Sequence, residues 1–392
     1  MKRLKSKIIL LLIFAISVLF FSNDFGLIDI EKTAIITAIA IDKENDQYTV
    51  TCQIAVPEAS NQISENQKAQ IEGRGKTVAG AIKNVGSVSG WFPQTIFCNL
   101  IILGNSLSQG NVINTLDYFS TTLRIQDSAQ VILAEDKAKD LLSATTPLDN
   151  ISSFAIQKIL LKNPGFDQDV CSVDVKTFCV EYYSQNSSSY MPVVKVLKSS
   201  HEDSNSGESE TSSSQNSGTK TNGKNTFDAT TTALFYKGKK VGELDKELSR
   251  TFNMLTRRSN GTAFDTVDQN GKHYLLDVLS EKAKIRVLAD QENLTVKIDL
   301  DIYCRAVDKD STTNEGMDYE QTTVPDSLKR SAERILSEQI YELFNVSKQT
   351  RCDFLRIKEK LYRYCFEQYS RYKDNFLYVC YLDVNVNVNG QR

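Results

Sequence analysis

The residues that could perform acid–base chemistry are scarce in this chain. Its two histidines are His201 and His273. A Ser or Cys nucleophile usually depends on a neighbouring base, most often histidine, whose pKa lies near neutrality. His201 lies in a polar, Ser-rich segment, and His273 stands beside Gly271 and Tyr274 in a predicted loop. We therefore predict that neither histidine is a catalytic base.

Two further patterns are similar to catalytic or binding motifs. Asp299 and Asp301 lie on one face of a predicted strand, as a carboxylate pair would, but that polar face is typical of solvated surface. The segment GRGK at residues 73–76 precedes a predicted helix whose first amides could hold a phosphate. The sequence has no full phosphate-loop pattern and no GxSxG, HExxH or GxGxxG motif. We expect a polar turn at 73–76 and predict no catalytic, cofactor-binding or metal-binding residues.

The eight cysteines do not form a recognisable framework. No CxxC pair occurs among them, and their spacing is irregular. Cys52, Cys304 and Cys380 fall in strand-like alternation, where a thiol behaves as a small hydrophobic group. Buried thiols are favoured over disulfides, and no ligand pair has zinc-finger or zinc-ribbon spacing. A cysteine-dependent envelope enzyme with a thiol near His273 stays open as an alternative.

Charged and aromatic groups could instead serve contacts with partners. The basic pairs Arg257-Arg258 and Lys239-Lys240 are interpreted as surface residues, with anionic lipid as an alternative contact. Tyrosine-rich surfaces suit protein interfaces, and one segment near the C-terminus is rich in aromatic residues. Helical and strand spacing predicts that half of them belong to a core. They are Tyr362, Tyr364, Phe366, Tyr369, Tyr372, Phe376, Tyr378 and Tyr381.

An apolar leader precedes the predicted helices and strands that position these residues. Four basic residues within the first seven precede an apolar run from Ile8 to Phe21. Basic residues stay on the cytoplasmic side during insertion, so the rest of the chain is expected outside the cytoplasmic membrane. The run is short for a spanning helix, and the first cysteine, Cys52, comes too late for a lipobox. We predict an uncleaved anchor, with cleavage near Ser22 as the alternative.

Composition excludes some protein classes and bounds the domain count. The net charge of −3 comes from 46 basic and 49 acidic residues, which argues against a nucleic-acid binder. The length beyond the leader suffices for two or three domains, and we predict an extracytoplasmic protein of the mixed α/β (α+β) class, with mixed or antiparallel sheets and packed helices. Its predicted parts are an anchor (1–24), an N-terminal α/β domain (25–198), a disordered Ser-rich linker or loop (199–225), a small middle domain (226–280) and a C-terminal α/β domain (281–392).

Hydrophobic periodicity predicts the elements of the N-terminal half. The segments AIITAIAI and YTVTCQIAV, joined by the polar turn DKENDQ, predict a β-hairpin. Strand and helix patterns then alternate, as in a mixed α/β domain. They are a helix over KTVAGAIKNVGSV, a strand over 96–103, a helix over NVINTLDYF, a strand over AQVILA, and helices over DKAKDLLSA, 154–161 and 173–183.

The C-terminal half carries the clearest patterns. A long amphipathic helix opens at Pro325, with Asp326 or Ser327 as its N-cap. The last strand alternates apolar and polar residues from Leu382 onward, and this one-sided alternation predicts antiparallel pairing. The other predicted elements are two strands joined at Lys237-Gly238-Lys239, a helix over LDKELSRTFNMLT, a strand over 294–304 and a helix over about 354–369.

Several sequence blocks, taken in order, resemble the Ger(x)C spore germination proteins, the C subunits of nutrient germinant receptors in spore-forming Firmicutes. The likeness spans nearly the whole chain, including the helical segment around Arg351, Cys352 and Asp353. The chain departs from the family in lacking a lipobox cysteine and in having Ala38 and Ala40 where first-strand glycines are common. A histidine often found before the third strand is replaced near Cys98-Asn99. The blocks are IEKTAIITAIAIDKENDQYTVTCQIAVPE, GKTVAGAIKNV, FCNLIILGNSLSQGNVINTLDYF, AQVILAEDKAKDLLSATTP, ALFYKGKKVGELDKELSRTFNMLT and VNVNVNG.

The resemblance implies a three-domain, non-enzymatic protein without a cofactor, located on the outer face of the inner spore membrane. It implies membrane-embedded partner subunits of A and B type in a receptor for small nutrients, with contact to the nutrient itself left open. The lipid bilayer would meet the chain through its N-terminal segment. We therefore expect a membrane-associated receptor subunit that acts in spore germination. The alternative is a cell-envelope solute-binding or scaffold protein unrelated to germination.

Overall fold

The computed structural model describes most of the chain after residue 32. The described residues are 7, 11–17, 33–55, 69–121, 125–144, 146, 149, 151–161, 169–198, 225–256, 261–268, 271–309 and 324–390. The predictions for the leader outside 11–17, the Ser-rich segment with His201, and Arg257-Arg258 lie outside these ranges. Within the described residues, no helix combines the length and the apolar character needed to span a bilayer.

Thirteen strands and twelve helices make up the described fold. The strands are β1 (Thr33–Glu44), β2 (Gln47–Ala55), β3 (Ala69–Gly75), β4 (Phe92–Gln94), β5 (Leu100–Leu103), β6 (Gln130–Ala134), β7 (Ser188–Lys198), β8 (Asn225–Tyr236), β9 (Lys239–Leu244), β10 (Thr262–Val267), β11 (His273–Ala289), β12 (Leu294–Lys309) and β13 (Tyr381–Gly390). The helices are α1 (described over 11–17), α2 (Val78–Ser89), α3 (Asn105–Ser108), α4 (Ile113–Thr121), α5 (Ala138–Ser143), α6 (Ser152–Leu160), α7 (Val175–Tyr183), α8 (Lys246–Thr256), α9 (Asp326–Thr350), α10 (Ile357–Tyr364), α11 (Phe366–Tyr372) and α12 (Phe376–Val379).

A large mixed sheet forms the first part of the fold. Its strand order is β3-β2-β1-β5-β6-β7-β8-β9, and β4 pairs beside the start of β1. Strands β1, β5, β6 and β7 run parallel, and the outer pairs are antiparallel. The predicted β1–β2 hairpin is confirmed. Its two turn residues, Asn45 and Asp46, have positive φ, the conformation that two-residue hairpin turns with a compatible twist require.

Helices cover both faces of this sheet. On one face α5 and α6 pack over a cluster that includes Ala38 and Ala40, both fully buried. On the other face α2, α4 and α7 contribute to a larger core. Both faces of the parallel strands are thus removed from water, which explains their nearly continuous apolar sequences. The mixed α/β class is confirmed.

The second sheet has the order β10-β11-β12-β13 and packs against α9. The amphipathic helix is confirmed, with Leu328, Leu336 and Ile340 on its buried face. The predicted side-chain cap is wrong. Pro325 holds the cap position, and its carbonyl accepts from the amides of Leu328 and Lys329, each at 3.0 Å.

Two further C-terminal predictions are corrected. β13 pairs with β12 in parallel, because α9 to α12 form a crossover connection between them. The alternation of β13 is real, but it arises because one face packs toward α9 while the other face is wet. The predicted helix over 354–369 is two helices, α10 and α11, interrupted at Cys365, whose backbone is not helical.

The two sheets share one hydrophobic core. A single cluster of buried residues extends from Ile39 in β1, through Phe252 in α8, to Ile298 in β12. Residues 226–280 supply β8 and β9 to the large sheet, and β10 with the start of β11 to the small one. The division into three domains stays a prediction.

Candidate functional site

The histidine and carboxylate candidates do not come together. His273 is the first residue of β11, paired with Val267, and is not in a loop as predicted. The Asp299 carboxylate pairs with the Arg286 guanidinium, and Asp301 accepts a hydrogen bond from Asn387 at 3.3 Å. Each carboxylate therefore has its own structural partner across the small sheet. Among the described residues, no group of three His, Cys, Asp or Glu side chains is placed to hold a metal ion.

The thiols are protected by burial. Seven of the eight cysteines are buried and Cys365 is partly buried, and all are free, which confirms the prediction of buried thiols. Burial raises the pKa of Cys52 and of Cys98 to about 12, and that of Cys304 to about 11. A thiol with such a pKa is protonated at neutral pH, and only the thiolate is nucleophilic. Burial therefore keeps these three thiols in the unreactive, protonated form.

The GRGK segment is a strand end that receives a helix. Gly73 and Gly75 lie in β3, where a polar turn was predicted. A Cβ on Gly73 would lie 2.3 Å from the carbonyl oxygen of Ala81, so glycine is needed for α2 to approach the strand. Arg74 pairs with Glu72 at 2.8 Å, and the Thr77 hydroxyl caps α2. The Arg74 amide donates to Asn84 Oδ1 of α2 at 3.1 Å, so these residues join the helix to the strand.

The remaining candidates lie on the surface. Lys240 pairs with Glu243 at 2.6 Å in β9. Of the aromatic residues between 362 and 381, Tyr372 and Phe376 are buried and Tyr369 is half-buried, so fewer than the predicted half belong to the core. Tyr362 stands edge-on to Phe366 and Tyr369, at centroid distances of 5.4 and 5.1 Å. This produces an aromatic surface on α10 and α11.

The loop between α9 and α10, residues 351–356, joins the C-terminal helices to the large sheet. We call this contact the joint. Its two ends, Arg351 and Arg356, have φ of 56° and 59°, so both residues adopt the left-handed conformation. Within the loop, the Cys352 thiol donates to the carbonyl of Phe235 at 3.3 Å, and the amide of Asp353 donates to Ser188 Oγ at 2.9 Å. The joint thus binds the ends of β7 and β8.

Asp353 is the chemically unusual group of the joint. Its carboxylate is buried and accepts the backbone amides of Ile357 at 2.9 Å and Lys358 at 2.8 Å, at the start of α10. Burial raises its pKa from 3.8 to about 7, although the two amide hydrogen bonds oppose the rise. The side chain therefore changes charge near neutral pH while it holds the first turn of α10.

A groove opens beside the joint, between α4, α7 and α10. It encloses about 590 Å³. Val180 and Tyr183 are mostly exposed there, and the Tyr183 hydroxyl donates to Asp117 at 2.8 Å. Arg363 and Glu359 pair at 2.5 Å on its rim. The lining is largely apolar with paired charges, which suits binding more than bond-making chemistry. It comprises Phe119, Ser120, Ile125, Gln126, Asp127, Val175, Lys176, Cys179, Val180, Tyr183, Ser184, Glu359 and Arg363.

A smaller polar cavity of about 150 Å³ lies past the carboxyl ends of β5 and β6, where ligands of open α/β sheets commonly bind. Four of its five charged lining residues form two ion pairs, and the fifth is Glu135. Lys195 lies 3.3 Å from Asp228, and Lys240 belongs to the ion pair with Glu243. The cavity is therefore small, and both of its lysine charges are compensated by carboxylates.

Sequence reasoning missed the joint. Arg351, Cys352 and Asp353 were noticed only as part of a family likeness, because the partners of Asp353 include Ser188, which is 165 positions away. The one local signal was an acidic residue shortly before a helix, which is typical of N-terminal capping. The groove gave no local signal, because it is lined from α4, α7 and α10, which are far apart in sequence.

Comparison with known proteins gives two family matches and a structural one. The chain matches "Spore germination protein N-terminal domain" over residues 27–196 and "Spore germination B3/ GerAC like, C-terminal" over residues 230–391. It is similar to a solved structure described as "Crystal Structure of the GerBC protein", with 15% identity and a TM-score of 0.51, over 92% of this chain and 99% of that one. At that identity the likeness shows the fold, and no curated protein matches the chain. Since the two family domains occur in order and together span most of the sequence, the chain belongs to the Ger(x)C family of spore germination proteins.

Proposed function

We propose that this chain is a non-enzymatic, membrane-associated subunit of a nutrient germinant receptor, on the outer face of the inner spore membrane. The observation that carries the proposal is the ordered match of both germination domains to residues 27–196 and 230–391. The basic leader with the apolar run from Ile8 to Phe21 supports attachment to the membrane. The proposed partners are membrane-embedded subunits of A and B type.

The chemistry of the described residues supports a binding role. His273 pairs with Val267 at the start of its strand, and the carboxylates of Asp299 and Asp301 have structural partners. Burial raises the pKa values of the Cys52, Cys98 and Cys304 thiols. The groove and the aromatic surface on α10 and α11 offer area for protein contacts. A subunit with these features transmits a signal through contacts and conformation.

Germination of a deletion strain tests the receptor role. Spores that lack the chain are expected to respond poorly to nutrients and normally to non-nutrient triggers, because only the nutrient route passes through the receptor. Complementation with the unmodified chain restores the nutrient response. An equal defect toward both kinds of trigger, or no defect, would contradict the proposal and favour an envelope scaffold unrelated to germination.

Substitution of the candidate catalytic side chains tests whether the chain acts as an enzyme. Complementation with His273→Ala or Cys365→Ser is expected to restore nutrient germination fully, since neither side chain is assigned a chemical role. Failure of either variant, with normal amounts of folded protein in the spore, would point to an enzyme.

Membrane attachment is tested separately by mass analysis of the native N-terminus in fractionated spores. A form that retains Met1 in the inner-membrane fraction supports the anchor. A form that begins after Ser22 in the soluble fraction would refute it.

A further inference from the structure

An apolar surface lies at the end of the large sheet where β1 and β5 begin. We call it the amino-end patch. It is carried by the last turn of α2, by β4 and by the residues just before β5. Its members are exposed although they are large and apolar: Val88 (67%), Trp91 (47%), Phe92 (47%), Ile96 (44%) and Phe97 (54%). Such a concentration within ten residues indicates a contact surface.

The backbone under the patch is fixed. Gly90 ends α2 with φ of 72°, and its amide donates to Gly86. The amide of Trp91 then donates to Ser89 Oγ at 3.1 Å. Phe92 belongs to β4, which pairs in register with β1. The exposed side chains are therefore held outward by a rigid frame.

A second fixed point lies just before β5. The Cys98 amide donates to the carbonyl of Thr95 at 2.9 Å, and both of these residues are buried. The Asn99 amide donates to Thr37 in β1 at 3.2 Å. The turn between them presents Ile96 and Phe97 to solvent, because the residues on either side of it are tied to the sheet.

The patch lies where the apolar leader joins the folded part. Phe92 is paired with Thr33, the first described residue of β1. Only residues 22–32 separate Phe21 from this point, so β1 begins within about 40 Å of the leader even for a fully extended connection. A bilayer that holds the leader is therefore within reach of the patch.

Charged residues lie outside the segment that carries the amino-end patch. None of residues 84–116 is charged, although charged residues make up 24% of the chain. Entering a bilayer interface therefore requires no charged side chain of this segment to lose its hydration. The carboxyl end of the same sheet, in contrast, carries Glu135, Asp136 and Lys137, all exposed. One end of the sheet thus suits lipid and the other suits water.

We propose that the amino-end patch inserts into the lipid interface, with Trp91 among the headgroups and Phe92 and Phe97 toward the acyl chains. Aromatic residues favour this depth because they combine an apolar ring with, in tryptophan, a polar N–H. The inference rests on the membrane attachment proposed above and adds a second contact. This contact would fix the orientation of the large sheet relative to the bilayer, which a flexible tether alone does not.

Trp91 is the single tryptophan of the chain, so its fluorescence reports on the patch without labelling. The full-length chain is reconstituted into vesicles of phosphatidylcholine and phosphatidylglycerol, with and without bromine on the acyl chains. We expect a blue-shifted emission, loss of emission in brominated vesicles, and protection from aqueous iodide. The matched control combines Trp91→Phe with Leu288→Trp, which moves the tryptophan to an exposed apolar site on the small sheet. The control emission should be insensitive to bromine and quenched by iodide.

A second variant tests the neighbouring side chains. Ile96→Ser with Phe97→Ser is expected to fold normally, as judged by circular dichroism, because both side chains are exposed. It should stay bound to vesicles through the leader and lose the bromine quenching of Trp91. Unchanged quenching in this variant would overturn the proposed insertion.

Several outcomes for the unmodified chain would overturn the proposal. In a chain that floats with the vesicles, iodide quenching of Trp91 without bromine quenching would refute lipid contact while leaving the anchor intact. A blue shift that depends on protein concentration and not on lipid would identify a second copy as the occupant. Shielding that requires the membrane-embedded subunits would identify a protein partner. A chain that does not float would refute both membrane contacts, and the nutrient germination assay would still decide the receptor role.

Discussion

Asp353→Asn is expected to remove a pH dependence from the stability of the joint. In the folded protein burial raises the pKa of Asp353 from 3.8 to about 7. Between about pH 4 and pH 7 the native state therefore keeps a proton that the unfolded chain has released. Raising the pH through this window lowers the free energy of unfolding. The stabilisation by the protonated acid is fully present below the unfolded pKa and is lost as the pH rises through the folded pKa.

The magnitude follows from the linkage between protonation and folding. One proton bound only in the native state changes the free energy of unfolding by about 1.4 kcal/mol for each pH unit, and by less close to the folded pKa, where the proton is only partly bound. The asparagine side chain has no charge to lose, so the variant lacks this slope. It also has one acceptor oxygen for the two amides that Asp353 receives, those of Ile357 and Lys358. The NH2 group of asparagine is a donor and would face one of these amides, which costs about 1 kcal/mol at low pH.

The assay compares urea unfolding of both proteins at pH 5 and pH 7, with hydrogen exchange of the Ile357 and Lys358 amides as a local readout. At pH 5 the unmodified protein is expected to be the more stable. Between the two pH values its advantage over the variant should fall by about 2 kcal/mol. Asp374→Asn is a matched control, because it makes the same substitution at an exposed carboxylate. If Asp353→Asn shifts stability equally at both pH values, the carboxylate is ionised throughout and the reasoning fails.

Three other substitutions or reactions test the packing. Gly73→Ala should destabilise the chain by about 2 kcal/mol or more, because the new Cβ would meet Ala81 of α2. Gly110→Ala is the control and should have little effect, because its Cβ would lie 3.6 Å from its nearest neighbour. Equal unfolding midpoints for the two variants would contradict the close approach of α2. Gly238→Ala in the β8–β9 turn should lower the free energy of unfolding by about 1–3 kcal/mol, because φ is 76° there and the Cβ would meet Asn111. An unchanged midpoint of thermal unfolding would argue against this turn. Under native conditions a maleimide should modify Cys365 first and leave the seven buried thiols intact on the same time scale. Peptide mass mapping measures which cysteines have reacted. Fast modification of a buried thiol would contradict its described environment.

Local pattern predicted those elements whose packing follows from their own sequence. The strand from Leu294 and the helix after Pro325 each have a strict hydrophobic period, and the β1–β2 hairpin is marked by a polar turn between two apolar segments. The alternation of β13 was equally clear and still gave the wrong pairing. Alternation reports that one face is wet, and it does not report whether the neighbouring strand arrives through a hairpin or through a helical crossover.

The elements that sequence reasoning missed have weak or misleading periods. β11 carries charged residues along much of its length and is largely half-exposed, and its apolar alternation (Ala283, Ile285 and Val287 between lysine and arginine residues) is confined to its second half. The glycines of β3 are typical of a turn, but here they allow a helix to approach. The joint depends on contacts between Asp353 and residues of β7, and no local window contains both partners. The family likeness drew attention to the segment around Asp353, which local sequence patterns did not, because a family comparison uses the whole chain.

The pairing of β7 with β8 is expected to prevent the two family domains from being expressed as separate soluble proteins. The first germination domain ends at residue 196 and the second begins at 230, yet β7 and β8 lie next to each other in one sheet, from Ser188 opposite Tyr236 to Lys198 opposite Asn225. Either half expressed alone would expose a long row of unpaired backbone groups, which is a template for aggregation. Truncated versions should therefore precipitate, while the two halves produced together should find each other and restore the sheet. Chimeras between relatives would have to exchange both strands as one piece.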